Sequence, residues 1–220
     1  MKIFLKITAV CFLLVSISVN ASNTVDWTNW TTNNPTTETG TLTQSSTSIT
    51  VTYTGNHFDV DHSNYFYNVP ASFTSPTVTN TPDTNGTIRM TGGDKDINTI
   101  HFSSPVTNPV MAFVSLGQLS YPVSFDFLNN PVFSVLSYGP GNWGGPGTIT
   151  QSGSSITGVE GNGTIGFAGV FTDISFTTPV NEYYYGFTVG ATVSAVPVPA
   201  AVWFMGSALL GLVGFKRRRA

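Results

Sequence analysis

Ile49-Thr50-Val51-Thr52-Tyr53-Thr54 places an apolar side chain at every second position, with threonine between. Successive side chains of an extended strand point to opposite faces. Ile49, Val51 and Tyr53 therefore share one face suited to a core, and the threonines share the other. The same period of two recurs in Val123, Phe125 and Phe127, which alternate with Ser124 and Asp126, and in the pair Ile165 and Phe167. Val110-Met111-Ala112-Phe113-Val114 is apolar on both faces, as a central strand would be. Tyr183-Tyr184-Tyr185-Gly186-Phe187-Thr188-Val189 reads as a late strand rich in β-formers.

Turn chemistry separates these runs. Thr81-Pro82-Asp83-Thr84-Asn85-Gly86 and Gly161-Asn162-Gly163-Thr164 are hairpin-like. Short strands at regular spacing predict an all-β fold, an antiparallel β-sandwich of jelly-roll type. An Ig-like sandwich and a β-solenoid are the alternatives, and the lack of a fixed-period repeat counts against the solenoid. Residues 22–190 are expected to form the sandwich, with 191–195 as a tether. Residues 22–40, carrying Trp27 and Trp30, fit either a first strand or a loose arm.

The chain ends have a different character. Residues 1–21 read as a secretory signal peptide: Lys2 and Lys6, an apolar run from Ile7 to Val19, and a small-residue site at Val19-Asn20-Ala21. Signal peptidase is the partner this implies. Cys11, the single cysteine, falls inside it, so the mature protein is expected to hold no thiol and no disulfide. Residues 196–220 run Val196-Pro197-Val198-Pro199-Ala200, then uncharged to Phe215, then Lys216-Arg217-Arg218-Arg219-Ala220. As a helix, residues 200–215 span about 24 Å against a hydrocarbon core of about 30 Å. The basic end at 216–219 fixes a cytoplasmic side, which leaves the body outside the membrane.

Setting both ends aside changes the charge. Arg89 and Lys95 are the only basic residues left, against all eleven acidic ones, a net of nine negative charges. No basic patch can form, which excludes nucleic acid as a partner.

The tail resembles the PEP-CTERM sorting signal of Gram-negative bacteria in its Val-Pro-x-Pro-Ala form. The resemblance is carried by Val196, Pro197, Pro199, Ala200, Ala201, Trp203, Gly206 and the Lys/Arg cluster. The glutamate of the commonest form is Val198 here. The same kind of tail is also called an ice-binding protein C-terminal domain. The resemblance implies that an exosortase processes the chain near the prolines, after transient membrane anchoring. It also implies a place at the cell surface or in the extracellular matrix, in the company of exopolysaccharide and biofilm.

Few residues of the body suggest chemistry. In an extended strand His57, Asp59 and Asp61 would share a face and could hold a divalent cation; a solvated strand face or loop is the plainer reading. Asp94 and Asp96 begin a D-x-D-x-N run that lacks the glycine and distal glutamate of a calcium loop, and read as a polar turn. The loop Ser137-Tyr138-Gly139-Pro140-Gly141-Asn142-Trp143-Gly144-Gly145-Pro146-Gly147 is a mobile Gly/Pro segment with one tryptophan. Trp143 could stack on a sugar and Asn142 could bond a hydroxyl; alternatively, Trp143 pins the loop to the sandwich. Thr39, Thr41 and Thr43 with Thr50, Thr52 and Thr54 make two short rows of the kind an ice-binding face needs, though threonine is also a good strand-surface residue. Sequon spacing occurs at Asn29, Asn85 and Asn162. No catalytic residue and no cofactor stand out. The expected role is a non-enzymatic structural or adhesive component of exopolysaccharide or biofilm. A carbohydrate-binding module is the alternative, with a hydrolase or an ice-binding protein behind it.

Overall fold

β-branched and aromatic residues at alternate positions build fifteen strands in the computed structural model, which describes residues 23–193. The signal segment, the sorting motif at 196–200, the apolar segment 200–215 and the basic end 216–219 lie outside the described residues. No helix among the described residues is long and apolar enough to cross a membrane.

Two antiparallel sheets pack as a sandwich. In spatial order the first holds β10 (Phe133–Gly139), β13 (Gly161–Phe167), β8 (Pro109–Leu116), β15 (Tyr185–Thr192), β6 (Thr87–Met90) and β5 (Asp59–Asp61). β1 (Val25–Trp27) lies beside the second half of β15, in line with β6. The other sheet holds β11 (Thr148–Ser152), β12 (Ser155–Val159), β9 (Val123–Phe127), β14 (Val170–Thr177), β7 (Asn98–Thr107), β4 (Thr47–Thr54), β3 (Thr37–Gln44) and β2 (Asn29–Trp30).

Inward side chains of both sheets form the main core. Phe125 on β9 sits at its centre, with ring centroids 4.9 Å from Phe113 on β8 and 4.8 Å from Phe176 on β14. Ile49, Val51 and Tyr53 point into this core, while Thr50 and Thr54 face solvent. β8 is buried along its whole length because it meets two cores. Met111 and Phe113 face the other sheet, and Val110, Ala112 and Val114 face outward. The connection from β5 to β6 covers that outer face. Its 3-10 turn (Asn64–Tyr67) and short helix α1 (Pro70–Phe73) seat Phe66, Tyr67 and Phe73 there.

The amino-terminal arm is part of the sheets. Trp27 and Trp30 are buried, and Trp30 Nε1 donates to Thr188 Oγ1 at 3.0 Å. β15 continues to Thr192, so residues 191 and 192, assigned above to the tether, belong to the sheet. Val193 N donates to Thr24 O at 2.8 Å, which ties the two ends of the body together.

The two expected hairpin turns are corrected. Gly161-Asn162-Gly163-Thr164 lies within β13. A Cβ at Gly163 would stand 2.2 Å from Ser137 O, so this glycine permits close strand approach rather than a turn. The turn is one residue earlier, at Glu160, with φ 49°. Residues 81–86 do curve, with φ 54° at Asp83 and 104° at Gly86, but they end the long β5–β6 connection rather than joining a tight hairpin.

Candidate functional site

A cleft of about 510 Å³ opens at one end of the sandwich, where β8 ends and β15 begins. One wall is aromatic. Trp143, from the β10–β11 loop, stacks on Phe66 with centroids 5.8 Å apart. It also meets Tyr65 edge-on at 5.5 Å and Tyr184 at 5.7 Å. Packing of one face leaves Trp143 48% exposed at the cleft. Trp143 thus pins its loop to the sandwich through these rings while part of its indole stays exposed. Asn142 does not line the cleft: its Nδ2 donates to Tyr65 O, which fastens the loop to the 3-10 turn. Gly144 N donates to Gly141 O at 3.2 Å and closes the loop tip.

The opposite wall is polar and hangs on a bulge. Pairing of β8 with β13 shifts register between Gly161 and Gly163, and Ser115 takes φ 50°. Such bulges re-aim side chains. Here Ser115 Oγ donates to Glu160 Oε2 at 3.1 Å, while Ser115 N donates to Asn162 Oδ1 at 3.0 Å. Two residues on, Gly117 N donates to Glu182 Oε2 at 2.8 Å. Burial pushes the Glu182 carboxyl up to about 8; the Gly117 bond opposes this, and the charge of Glu160 adds to it. At neutral pH Glu182 is therefore largely an uncharged acid, able to donate as well as accept a hydrogen bond.

Arg89 forms the floor. It makes a two-pronged contact with Asp59 and lies 3.5 Å from Asp61 Oδ2. Its guanidinium sits 5.1 Å from the Phe58 ring centroid and 5.4 Å from that of Tyr184. The Asp59 hydrogen bond holds its pKa well above the usual arginine value.

The His57–Asp59–Asp61 grouping is not formed. β5 begins at Asp59, so His57 lies before the strand, and its fully buried side chain bonds Glu38 Oε1 at 2.8 Å. Glu38 also accepts from Thr32 Oγ1 and Asn34 N, each at 2.7 Å, making a closed internal network. Asp59 and Asp61 do share a face, and Arg89 occupies it. Asp94 accepts from Asn56 Nδ2 at 2.7 Å and from Asp96 N at 3.2 Å, a local polar turn. Among the described residues no three acidic, histidine or cysteine side chains group as metal ligands.

The threonine rows lie side by side, with Thr39 opposite Thr52 and Thr41 opposite Thr50. On the next two strands the ranks run into His101 and Asp173, paired at 2.8 Å. Of the three sequons, Asn162 is buried and bonded, Asn85 Nδ2 donates to Trp27 O, and Asn29 is exposed.

Trp143 was singled out in the sequence as a loop tryptophan; Glu160, Glu182, Tyr65, Phe66 and Arg89 were not. Glu160 and Glu182 stand alone in their stretches, and only the fold brings them to one wall. No family model, curated protein or solved structure matches the chain.

Proposed function

We propose that the body is a carbohydrate-binding module of an exported surface or matrix protein, and that its adhesive role is exerted through the cleft around Trp143. The half-exposed Trp143, held on Phe66 and Tyr184 beside hydrogen-bonding groups, is the observation that carries this reading. Sugars offer an apolar ring face to an aromatic side chain and hydroxyls to polar groups at the ring edge. Carboxyl groups dominate the polar wall, and Arg89 is already engaged by Asp59 and Asp61. The ligand is therefore a neutral or amino sugar rather than a uronate.

Strand order supports a jelly roll for the body. β6-β15-β8-β13 runs along one sheet and β7-β14-β9-β12 along the other, and successive strands alternate between sheets over most of this stretch. Delivery rests on the ends of the chain: a signal peptide at 1–21 and an exosortase-processed tail at 196–220, resembling the PEP-CTERM signal and anchored transiently in a membrane.

Retention on the exopolysaccharide of the producing organism tests the reading. The body should be retained, and Trp143→Ala should abolish retention while leaving the circular dichroism spectrum unchanged. Unaltered retention of the variant removes the cleft from consideration, and a body that is not retained returns the protein to a purely structural role. One observation favours turnover: a raised glutamic acid, Glu182, under the charge of a second, Glu160. Both are engaged by protein donors, Gly117 N and Ser115 Oγ, which supports binding. Reducing ends measured in the same incubation should not increase.

A further inference from the structure

We infer that the cleft continues past Tyr183 and Tyr184 into a second cleft beside Phe58, and that together they hold an internal stretch of a glycan chain rather than a chain end or a single sugar. The inference rests on the carbohydrate reading above and extends it to a second subsite.

The second cleft measures about 410 Å³. Both volumes fall in the range of small-molecule sites, roughly 300–1,000 Å³. The two clefts share Arg89, Glu182, Tyr183 and Tyr184, so they are neighbours on one surface. Tyr183, between them, is 89% exposed. A tyrosine this free adds nothing to the core, yet it places a ring where an extended ligand must cross. Phe58 at the far cleft is 69% exposed and lies over the Arg89 guanidinium. Arg89 thus lies near both the Phe58 ring, which lines the second cleft, and the Tyr184 ring, which lines both, and is engaged by Asp59. Polar groups accompany the rings on this side too: Thr91 and Asn181 line the second cleft, and Asn181 Nδ2 donates to Thr91 O at 3.2 Å. Trp143, Tyr183 and Phe58 therefore offer three separated aromatic surfaces along one path. Successive rings suit successive sugars of a chain, each stacking over one platform.

Calorimetric titration of the folded body with a size-fractionated ladder of oligosaccharides, cut from the producing organism's exopolysaccharide, tests this. Affinity should rise by about tenfold or more from disaccharide to octasaccharide, the order of one added stacked ring, and then level off. Phe58→Ala should remove that rise while leaving disaccharide affinity unchanged, because Phe58 lines the second cleft and not the first; its side chain is exposed, so folding is not at stake. Trp143→Ala should weaken every length. Equal affinity for all lengths, or equal losses at all lengths in the Phe58 variant, overturns the two-subsite inference but leaves the single cleft standing. Binding at no length overturns the carbohydrate reading itself, and this inference with it.

Discussion

Glu182 shows how one residue's surroundings can decide its chemistry. It is one of eleven acidic residues in a chain with few charges, and its sequence neighbours, Asn181 and Tyr183, say nothing of burial. The fold buries it against Gly117 N and within the field of Glu160. Its pKa is raised from 4.5 to about 8, so the unfolded chain gives up this proton at lower pH than the folded one. The folded state therefore gains stability from this group below about 4.5, and loses it as pH rises through about 8. Glu182→Gln keeps an acceptor for Gly117 N without the titration. The melting temperature of the variant should match that of the parent near pH 4 and exceed it near pH 9. Parallel melting curves across that range would show that Glu182 is not held neutral. Trp143 was legible because a tryptophan in a Gly/Pro loop is conspicuous in any chain. For His57 neither reading, a solvated strand face or loop or a face shared with Asp59 and Asp61, allowed for burial, because its partner, Glu38, lies 19 residues away.

Among the elements, the strands that could be read were those with an unbroken apolar pattern on one face or on both. Ile49–Tyr53 and Val123–Phe127 carry their period of two openly, and β8 was legible as a both-faces-buried strand. Where glycine or serine fills the pattern, the reading went astray. The segment at 161–164 looked like a turn because glycine serves both turns and close strand contacts, and only the neighbouring β10 distinguishes them. Tight two-residue hairpins join β11 to β12 through Gly153 and Ser154, and β3 to β4 through Ser45 and Ser46, the latter pair both at positive φ, 51° and 66°. That is the geometry of a type I′ turn, for which Asn-Gly is the favoured pair. Replacing Ser45 with Asn and Ser46 with Gly should stabilise the body by about 0.5–1 kcal/mol, since serine is strained in the left-handed region. Urea denaturation measures it, and a lower midpoint in the double variant would mean that the serines make contacts beyond the turn.

At the level of the molecule, an all-β sandwich followed from the strand pattern, but which strands share a sheet did not. β1 pairs with β15 across nearly the whole body, and β5 pairs with β6 only after the covering turn and helix have intervened. Pairing over such separations depends on how faces fit, and a local pattern of alternation carries no record of it. The same holds for the cleft, whose walls come from residues as distant as Tyr65, Trp143 and Glu182. The signals proposed for the chain ends are of another kind: linear segments that other proteins would read without any fold.

The pairing of the two ends of the body has a mechanical consequence. The chain leaves the described body at Val193, at the carboxy-terminal end of β15, while the cleft lies at that strand's amino-terminal end, roughly 25 Å away for an eight-residue strand. A body tethered by its tail and gripping a ligand would carry load along β15. That strand is bonded to β8 on one side and to β6 and β1 on the other, so the load shears many bonds at once. Pulling between residues 24 and 193 instead would peel β1 from β15, starting at the Val25–Thr192 end, one pair at a time. Single-molecule extension through a handle at Tyr183→Cys and the carboxy terminus should therefore require clearly higher force than extension through the two termini. Equal forces would mean that β15 is not the load path, and that the molecule is a weaker link than its ladder of bonds implies.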